Sequence, residues 1–288
     1  MSTIDTCCIC GGRNLKVREG KIRTERKIKA DKILECLNCS FVFLNENSHI
    51  EDDHYKKSLM HPILRTLEEL RCESRQDDVR RLRYFIPQIK GKKIIEIGSG
   101  NGQFLKFAQR FSATVCGVEP EARFKDIFLE EKLNIRNDIN KVSQKFDSVF
   151  CFHVIEHVKD PIEFIESLFS LVESKGTIFV ETPNSKDALI SLYKLKAFSN
   201  FTYWDNHLVL FSKKSFKLMM SKYSYSCKLI KVQRYGLGNH IGWILNGEPG
   251  GHKKYLRIEN SPFSLLYKKI LCFMGHQDTL LFKIMKSY

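Results

Sequence analysis

The chain has 288 residues, 43% of them hydrophobic, and a formal net charge of +14. This length allows one large α/β domain with a small appendage, and the hydrophobic fraction argues against a disordered chain. No apolar run reaches the ~18–20 residues that cross a membrane, and no secretory signal is apparent at the start, so we expect a cytoplasmic protein. The positive charge favours an acidic partner, such as a phosphorylated small molecule, a nucleotide-sugar, a nucleic acid or an anionic membrane surface.

Two CxxC pairs near the N-terminus predict a zinc site. The four cysteines are Cys7, Cys10, Cys36 and Cys39. Each pair can deliver two thiolates from one tight turn, and two turns complete a tetrahedron with no open position, which is typical of structural zinc. Strands at 15–17 and 33–35 can form a hairpin between the pairs, and Cys8 could replace Cys7 as a ligand. We therefore predict a zinc-ribbon-like module over residues 1–50; a redox dithiol or free thiols are the alternatives.

A glycine-rich loop follows a helical connector that we predict over residues 51–90, with its helix at roughly Pro62 to Phe85. The segment 92–97 is an apolar strand, residues 98–102 form a GxGxG loop, and residues 103–111 form an amphipathic helix. Such a loop lets a ligand lie directly against the backbone and the helix N-terminus. Alone, the loop is compatible with NAD, FAD or S-adenosylmethionine.

The next predicted strand, Thr114–Val118, ends in an acidic residue. Glu119 lies 21 residues after Gly98, and a carboxylate at the tip of the second strand can accept hydrogen bonds from both ribose hydroxyls of an adenosine group. The spacing therefore predicts an adenosine-containing cofactor. The alternative is a solvated strand-end residue.

The rest of the chain continues the α/β pattern. We predict strands at 146–152, 176–181, 227–234 and 279–285, and a helix at 161–172. A long glycine-containing stretch separates the last two strands, and long loops inside compact domains are often functional. We interpret residues 186–212 and 236–276 as insertions that form a substrate lid.

Four motifs carry a resemblance to a known family. EIGSGNG, GVEPEA, FDSVFCFHVIEHVKDP and GTIFVETPN resemble, in that order, the motifs of class I S-adenosylmethionine-dependent methyltransferases. The resemblance implies a Rossmann-like α/β sheet of seven strands over residues 91–288, with the last pair antiparallel. It also implies cofactor contacts: Glu96, Gly98, Ser99, Gly100 and Gly102 at the methionine part, Glu119 at the ribose, Asp138 near the adenine, and His153 against the cofactor.

Methyl transfer to oxygen or carbon needs an aligned acceptor and a base that removes a proton. His153, Glu156 and His157 follow the fourth predicted strand, at the edge where open α/β sheets bind ligands. We predict His157 as the base. The run also resembles quinone-biosynthesis O-methyltransferases, in which acidic residues and the histidine hold a divalent cation; His153 stands where those enzymes have their first carboxylate.

Two later segments resemble sugar-modifying methyltransferases. Residues 203–212 resemble zinc-containing deoxysugar C-methyltransferases, which implies an active-site role for His207, although Asn206 stands where those enzymes have glutamate. Residues 239–252 resemble methyltransferases of bacterial surface-polysaccharide pathways. There Trp243 could stack on a sugar, and His240 or His252 could bind a phosphate.

The predicted function is O-methylation of a small polar acceptor, namely a sugar nucleotide or another precursor of a surface polysaccharide such as capsule or lipopolysaccharide. Carbon methylation is the alternative within the class. A nucleic-acid (RNA) methyltransferase, suggested by the charge and the zinc ribbon, is the alternative from another class. Against it, the chain has no Asp/Asn-Pro-Pro-aromatic motif after its fourth strand, and Cys151 lacks the proline expected before a nucleophilic cysteine. A non-catalytic zinc-ribbon binding protein would not be expected to keep the glycine loop and Glu119.

Overall fold

The computed structural model describes residues 4–24, 27–51, 53–57 and 66–287. Its strands are β1 Leu15–Val17, β2 Ile33–Cys36, β3 Val42–Leu44, β4 Lys93–Ile97, β5 Thr114–Val118, β6 Ile135–Arg136, β7 Phe146–Phe152, β8 Val172–Pro183, β9 Val209–Leu210, β10 Tyr225–Val232 and β11 Thr279–Lys286. Its α-helices are α1 Leu67–Ile89, α2 Gln103–Ala108, α3 Lys125–Glu130, α4 Pro161–Leu171, α5 Ala188–Ser191, α6 Lys196–Thr202, α7 Lys213–Met220, α8 Leu237–Asn246, α9 Gly251–Lys254, α10 Leu256–Glu259 and α11 Pro262–Met274. Short 3-10 helices lie at Ala122–Phe124 and Ile139–Lys141.

Seven strands form one sheet in the order β10-β11-β8-β7-β4-β5-β6, and its last two strands along the chain are antiparallel. This confirms the predicted seven-stranded α/β sheet. β4 pairs in parallel with β5 on one side and with β7 on the other. The strand order therefore reverses between β4 and β7, and such a switch point is where open α/β sheets bind ligands, beyond the carboxyl ends of the strands.

The described residues within Ile50–Val154, Asp160–Val180 and Lys283–Tyr288 form one compact unit. Its core is a cluster of aromatic rings from α1, α2, β7 and β8, with centroids 4.7 to 5.7 Å apart: Phe85, Phe104, Phe150, Phe152 and Phe179. Tilted and edge-to-face contacts of this kind add to the hydrophobic stabilisation of a core. The glycine loop and Glu119 belong to this unit.

Helix α1 begins at Leu67. Thr66 caps it, accepting a hydrogen bond from the Glu69 backbone N–H while the Glu69 carboxylate accepts one from the Thr66 N–H. This reciprocal pair satisfies two donors that a helix start otherwise leaves open. The helix continues to Ile89, beyond the predicted end at Phe85, and the predicted start at 62–65 lies outside the described residues.

A second compact unit comprises the described residues within Met1–His49, Ile155–Lys159 and Glu181–Phe282. It contains a four-stranded antiparallel sheet in the order β1-β2-β3-β9. The predicted hairpin is confirmed, because β1 pairs with β2 and Leu15 lies opposite Cys36. β3 and β9 are additions that the sequence pattern did not predict. The predicted boundaries at residues 50 and 90 differ from this grouping and stay predictions.

The segment between β10 and β11 corrects one expectation. Residues 237–274 are largely helical, as α8 to α11, rather than a loop. Several glycines of this segment lie at the ends of helices. Gly247 and Gly275 directly follow α8 and α11 and have positive φ angles of 68° and 80°. Glycine is the residue that tolerates this helix-ending conformation. A lid role for residues 186–212 and 236–276 stays a prediction.

Within the part of the chain that the structure describes, no helix has both the length and the apolar character needed to cross a bilayer.

Candidate functional site

The loop after β4 has a backbone that only glycine adopts comfortably. Gly98, Gly100 and Gly102 have φ angles of 73°, 51° and 71°. A Cβ atom on Gly98 would lie 2.3 Å from the Cγ2 atom of Val154, so a side chain there would also clash. At Gly100 the space around a hypothetical Cβ is open for 4 Å. The loop thus presents bare backbone, which suits close approach by a ligand.

Glu119 lies against this loop, as the spacing predicted. One carboxylate oxygen accepts the Gly100 backbone N–H at 2.7 Å, and the other accepts the Glu121 N–H at 3.0 Å. Burial raises the pKa of Glu119 to about 7, although these hydrogen bonds act in the opposite direction. Each oxygen keeps a second lone pair with which it can accept a ribose hydroxyl. Ser99 is held below the loop, where its hydroxyl donates to the Val118 carbonyl at 3.3 Å.

Glu96 is a buried acid on β4. Its Oε2 atom has no hydrogen-bond partner among the described residues. Burial, followed by the neighbouring Asp78 carboxylate, raises its pKa well above the usual value. An unpaired buried carboxyl is costly and calls for a complementary group. The ammonium group of an amino-acid ligand has the required charge and donors.

The sequence interpretation missed a polar cluster on α1. Asp78 and Arg81 are buried and 3.4 Å apart, and Gln103 donates to Asp78 at 3.5 Å. The Arg81 guanidinium lies over the Phe152 ring, 4.4 Å from its centroid. The sequence did contain a signal for this cluster. Asp78 and Arg81 lie seven and four residues before the buried Phe85, so all three share one face of the helix. Charged residues on a core-facing stripe indicate function more often than chance.

Asp138 and His153 sit at two other strand ends. Asp138 caps the 3-10 helix that follows β6, accepting the Asn140 N–H at 2.9 Å. His153, directly after β7, has a φ angle of 56°. A bulky residue in this left-handed region is strained, and such strain collects at ligand sites. Neither side chain has a demonstrated ligand contact, so their cofactor roles stay predictions.

The four cysteines of the CxxC pairs converge. Their Sγ atoms all lie within 4.8 Å of one another, with Cys7 3.6 Å from Cys39 and Cys10 3.4 Å from Cys36. A zinc–sulfur tetrahedron with bonds of ~2.3 Å has edges of roughly 3.8 Å, so the cluster fits zinc. Cys8 is exposed and outside the cluster.

The two cysteine turns share one backbone pattern. In the first, the Gly11 N–H donates to the Cys7 carbonyl at 2.8 Å; in the second, the Ser40 N–H donates to the Cys36 carbonyl at 2.7 Å. Gly11 and Ser40 both have positive φ angles, 69° and 60°. This repetition produces two equivalent knuckles, each aiming a pair of thiols at one point.

A second cluster joins Glu156, His157 and His207, whose potential ligand atoms lie within 4.8 Å of one another. Glu156 is fully buried and accepts the Thr182 hydroxyl at 3.1 Å. The two imidazole rings have centroids 5.0 Å apart. The structure thus brings together three of the four predicted catalytic residues, two of them adjacent and the third some fifty positions later.

The hydrogen bonds of the two histidines define their tautomers. His157 Nδ1 lies 2.7 Å from the Asn206 carbonyl oxygen, and His207 Nδ1 lies 2.9 Å from the Thr202 carbonyl oxygen. A carbonyl only accepts, so each Nδ1 carries the proton in the neutral ring and each Nε2 carries the lone pair. The cluster therefore brings two imidazole Nε2 nitrogens together with a carboxyl group.

The two cysteine turns and the strands β1, β2 and β3 together are called the cysteine module below. This module holds the segment that carries His207. β9 adds to the module's sheet, with Val42 opposite Leu210, and the Leu44 N–H donates to the Leu208 carbonyl at 3.0 Å. His49 bonds the Asp205 carbonyl at 2.7 Å. These contacts fix the backbone on both sides of His207.

Two later candidates are buried. Trp243 packs against the Phe198 and Phe201 rings and, with Phe201, lines a surface cavity. His240 is buried and bonds the Tyr267 hydroxyl at 2.7 Å. Burial lowers the pKa of His240 to about 4. Both side chains pack within helical segments, and the sugar-stacking role of Trp243 and the phosphate-binding role of His240 or His252 stay predictions.

Comparison with known proteins identifies related sequences. A family model described as a methyltransferase domain matches residues 68–227. An O-methyltransferase of ubiquinone biosynthesis from Coxiella burnetii is 30% identical over 116 residues, which cover 36% of this chain and 50% of that protein. A tRNA U34 carboxymethyltransferase from Campylobacter hominis is 31% identical over 106 residues, covering 33% of this chain and 37% of that protein. The chain thus spans half or less of the length of these relatives.

Solved structures share the fold. An S-adenosylmethionine-dependent methyltransferase from Archaeoglobus fulgidus superposes with a TM-score of 0.51 at 18% identity, covering 73% of this chain and 94% of that one. One from Thermotoga maritima gives a TM-score of 0.50 at 17% identity, covering 76% and 94%. The predicted Rossmann-like α/β fold is confirmed.

Proposed function

The chain belongs to the methyltransferase domain family, and on that premise we propose that it transfers a methyl group from S-adenosylmethionine to an oxygen atom of a small polar acceptor. We further propose that the acceptor is a sugar nucleotide or another phosphorylated precursor of a surface polysaccharide, methylated in the cytoplasm. The observation that carries the reaction type is the Glu156–His157–His207 cluster.

The cofactor assignment rests on three features of the glycine-loop unit. The unpaired Glu96 oxygen complements the ammonium of the methionine part, the bare Gly100 backbone admits the ligand, and Glu119 can accept the ribose hydroxyls. We assign Asp138 to the adenine and His153 to the cofactor on the family pattern. When bound, S-adenosylmethionine supplies an electrophilic methyl group.

The base is best assigned to His157. Its Nε2 lone pair can take the proton of an acceptor hydroxyl, and the buried Glu156 carboxylate can stabilise the imidazolium that forms. His207 provides a second nitrogen that can orient the acceptor. Asn206 favours oxygen over carbon as the methyl acceptor, because its amide donates to Asp205 at 3.2 Å and cannot remove a proton.

The same three groups also fit a divalent cation. Two imidazole nitrogens and one carboxylate are a familiar donor set for such ions. A bound ion would lower the pKa of an acceptor hydroxyl. Activity after chelation and re-addition of magnesium, manganese or zinc separates this alternative from general-base chemistry by His157.

The four-cysteine cluster is assigned to structural zinc. Four thiolates fill a tetrahedral ion and leave no position for a substrate. Its proposed role is to hold the sheet to which β9 adds, and thereby to position His207.

The related proteins bear on the acceptor. One is named for O-methylation in ubiquinone biosynthesis, which supports oxygen as the acceptor atom. Another is named for a tRNA base, so an RNA acceptor is the alternative from another class. A salt-dependent gel shift with tRNA, together with methyl transfer to it, would favour that alternative.

The first experiment is calorimetric titration of the zinc-loaded chain with S-adenosylhomocysteine. We expect micromolar binding that Glu119→Ala weakens about tenfold, or 1.4 kcal/mol. Glu130→Ala, on the same unit but outside the site, is the matched control and should bind like the wild type. No binding by the folded wild type would contradict the cofactor assignment; binding would justify a screen of nucleotide-sugars.

A further inference from the structure

Helix α11 turns an apolar stripe towards solvent. Phe263, Leu266, Ile270 and Phe273 are 77%, 57%, 45% and 85% exposed. Their spacing of three, four and three residues places them on one face of the helix. The buried positions, Ser264 and Leu271, lie on the other side. A contiguous exposed apolar surface of this kind marks an interaction site in a folded protein.

The same part of the chain carries most of the net positive charge. Residues 212–287 contain fourteen Lys and Arg residues but three acidic residues, so this quarter of the chain holds eleven of the fourteen net positive charges. Of the acidic residues, Glu259 is buried beside Lys268, and Asp278 accepts backbone N–H groups. Of the three acidic residues in this described stretch, only Glu248 is exposed.

Two lysines lie directly at the stripe. Lys269 is exposed on α11 itself, three residues after Leu266 and four before Phe273, which are its neighbours on the helix surface. Lys231, exposed on β10, places its Nζ atom 6.0 Å from the centre of the Phe273 ring. Aromatic and aliphatic side chains flanked by lysines are the composition of helices that lie in the headgroup region of a bilayer.

We propose that α11 docks the protein on an anionic lipid surface. Phe263, Leu266, Ile270 and Phe273 enter the boundary between headgroups and acyl chains, and the lysines bind lipid phosphates. With 13 residues the helix is about 20 Å long, too short to span a bilayer, so it lies on the surface. The proposal concerns location and does not depend on the proposed methyl acceptor.

The charge distribution favours lipid over the other occupants of such a face. A second copy of the chain would bring two strongly basic surfaces together, which is unfavourable. A nucleic acid would neutralise the lysines but would leave the four apolar side chains without an apolar partner. An anionic bilayer complements both the charge and the stripe.

The test is flotation of the full chain with vesicles of phosphatidylcholine alone and of an equal mixture of phosphatidylcholine and phosphatidylglycerol. We expect binding to the mixed vesicles, weakened by added salt, and little binding to phosphatidylcholine. The double variant Phe263→Ser with Phe273→Ser should reduce the partition coefficient about tenfold or more. Leu129→Ser, at a 68% exposed position on α3, is the matched control and should bind like the wild type.

Three outcomes would overturn the proposal. The first is a wild-type chain that stays with neither kind of vesicle, and the second is a double variant that floats as well as the wild type. The third is that the exposed face of α11 binds a different partner. Light scattering would then show a dimer that the double substitution breaks, or the chain would bind tRNA in a way that the double substitution abolishes. Because both phenylalanines are exposed, the double variant should keep the wild-type unfolding midpoint, which confirms that it folds.

Discussion

At the residue scale, the proposed ribose contact of Glu119 would couple ligand binding to protonation. Burial raises its pKa to about 7, so near neutral pH a substantial fraction of the free protein carries a neutral carboxyl there. Ribose hydroxyls donate hydrogen bonds, and the ionised carboxylate accepts them better than the neutral acid. Binding of an adenosine group at this position would therefore select the ionised form and lower the pKa of Glu119.

This coupling predicts a pH-dependent affinity. Lowering the pH from about 8 to about 6 should weaken S-adenosylhomocysteine binding about tenfold, because the ionised fraction of a group with a pKa near 7 falls by that factor. Calorimetry at both pH values measures it. The Glu119→Gln variant has no titrating group at this position, so its affinity should depend less on pH. If the affinity changed equally with pH in both proteins, another group would be responsible for the effect.

The two histidines of the second cluster give the catalytic prediction. His157→Ala and His207→Ala should each lower turnover, by ~10²–10⁴-fold for the residue that acts as base, while the affinity for S-adenosylhomocysteine stays nearly unchanged. The reason is that each substitution removes an Nε2 nitrogen outside the glycine-loop unit. His276→Ala is a control, since that ring bonds Ser191 outside the cluster. Wild-type rates in both cluster variants would refute the assignment.

At the element scale, β9 connects the cysteine module to His207. The short strand has two residues, and its register against β3 is what places the preceding histidine. Isolated pairings this short are weak, so their geometry depends on the rigidity of the sheet to which they add. The cysteine cluster lies at the end of this sheet to which Leu210 of β9 also belongs, because Val42 is opposite both Leu210 and Glu35, the neighbour of Cys36 on β2.

Loss of one cysteine ligand should therefore act on turnover at a distance. Cys36→Ser is expected to lower the turnover number markedly and to leave S-adenosylhomocysteine affinity within about twofold, because metal loss loosens the sheet that holds β9. Turnover assays and calorimetry on the same preparations separate the two effects. The control Cys8→Ser, one residue from the cluster, should behave like the wild type. Unchanged turnover in Cys36→Ser would show that the position of β9 does not depend on the metal.

At the scale of the whole molecule, zinc should contribute to stability. We expect one zinc ion per chain, and its removal by a chelator should lower the unfolding midpoint by more than about 5 °C, because a structural metal contributes folding free energy. Elemental analysis and calorimetric melting measure both quantities. Glu156→Gln should retain the zinc and Cys36→Ser should lose it; the reverse pattern would move the ion to the Glu156–His157–His207 cluster.

The sequence by itself determined the features that depend on neighbouring residues. Strands β5 and β7, the glycine loop, the β1–β2 hairpin and the two cysteine turns follow from side-chain pattern and short spacing, because local backbone geometry sets them. The approach of Glu119 to the loop also followed, since two adjacent parallel strands end at the same edge of a sheet. These local rules predicted an α/β domain, and the resemblance to class I methyltransferases implied its seven-stranded sheet with the last pair antiparallel.

The tertiary structure decided the contacts between distant residues. Packing placed His207 beside Glu156 and His157, added β9 to the cysteine module, and buried Asp78 and Arg81. Periodicity can predict an apolar stripe on α11 but not whether that stripe meets the core or the solvent. Such choices depend on which of many compatible surfaces pack together, and that selection is made by the whole chain at once.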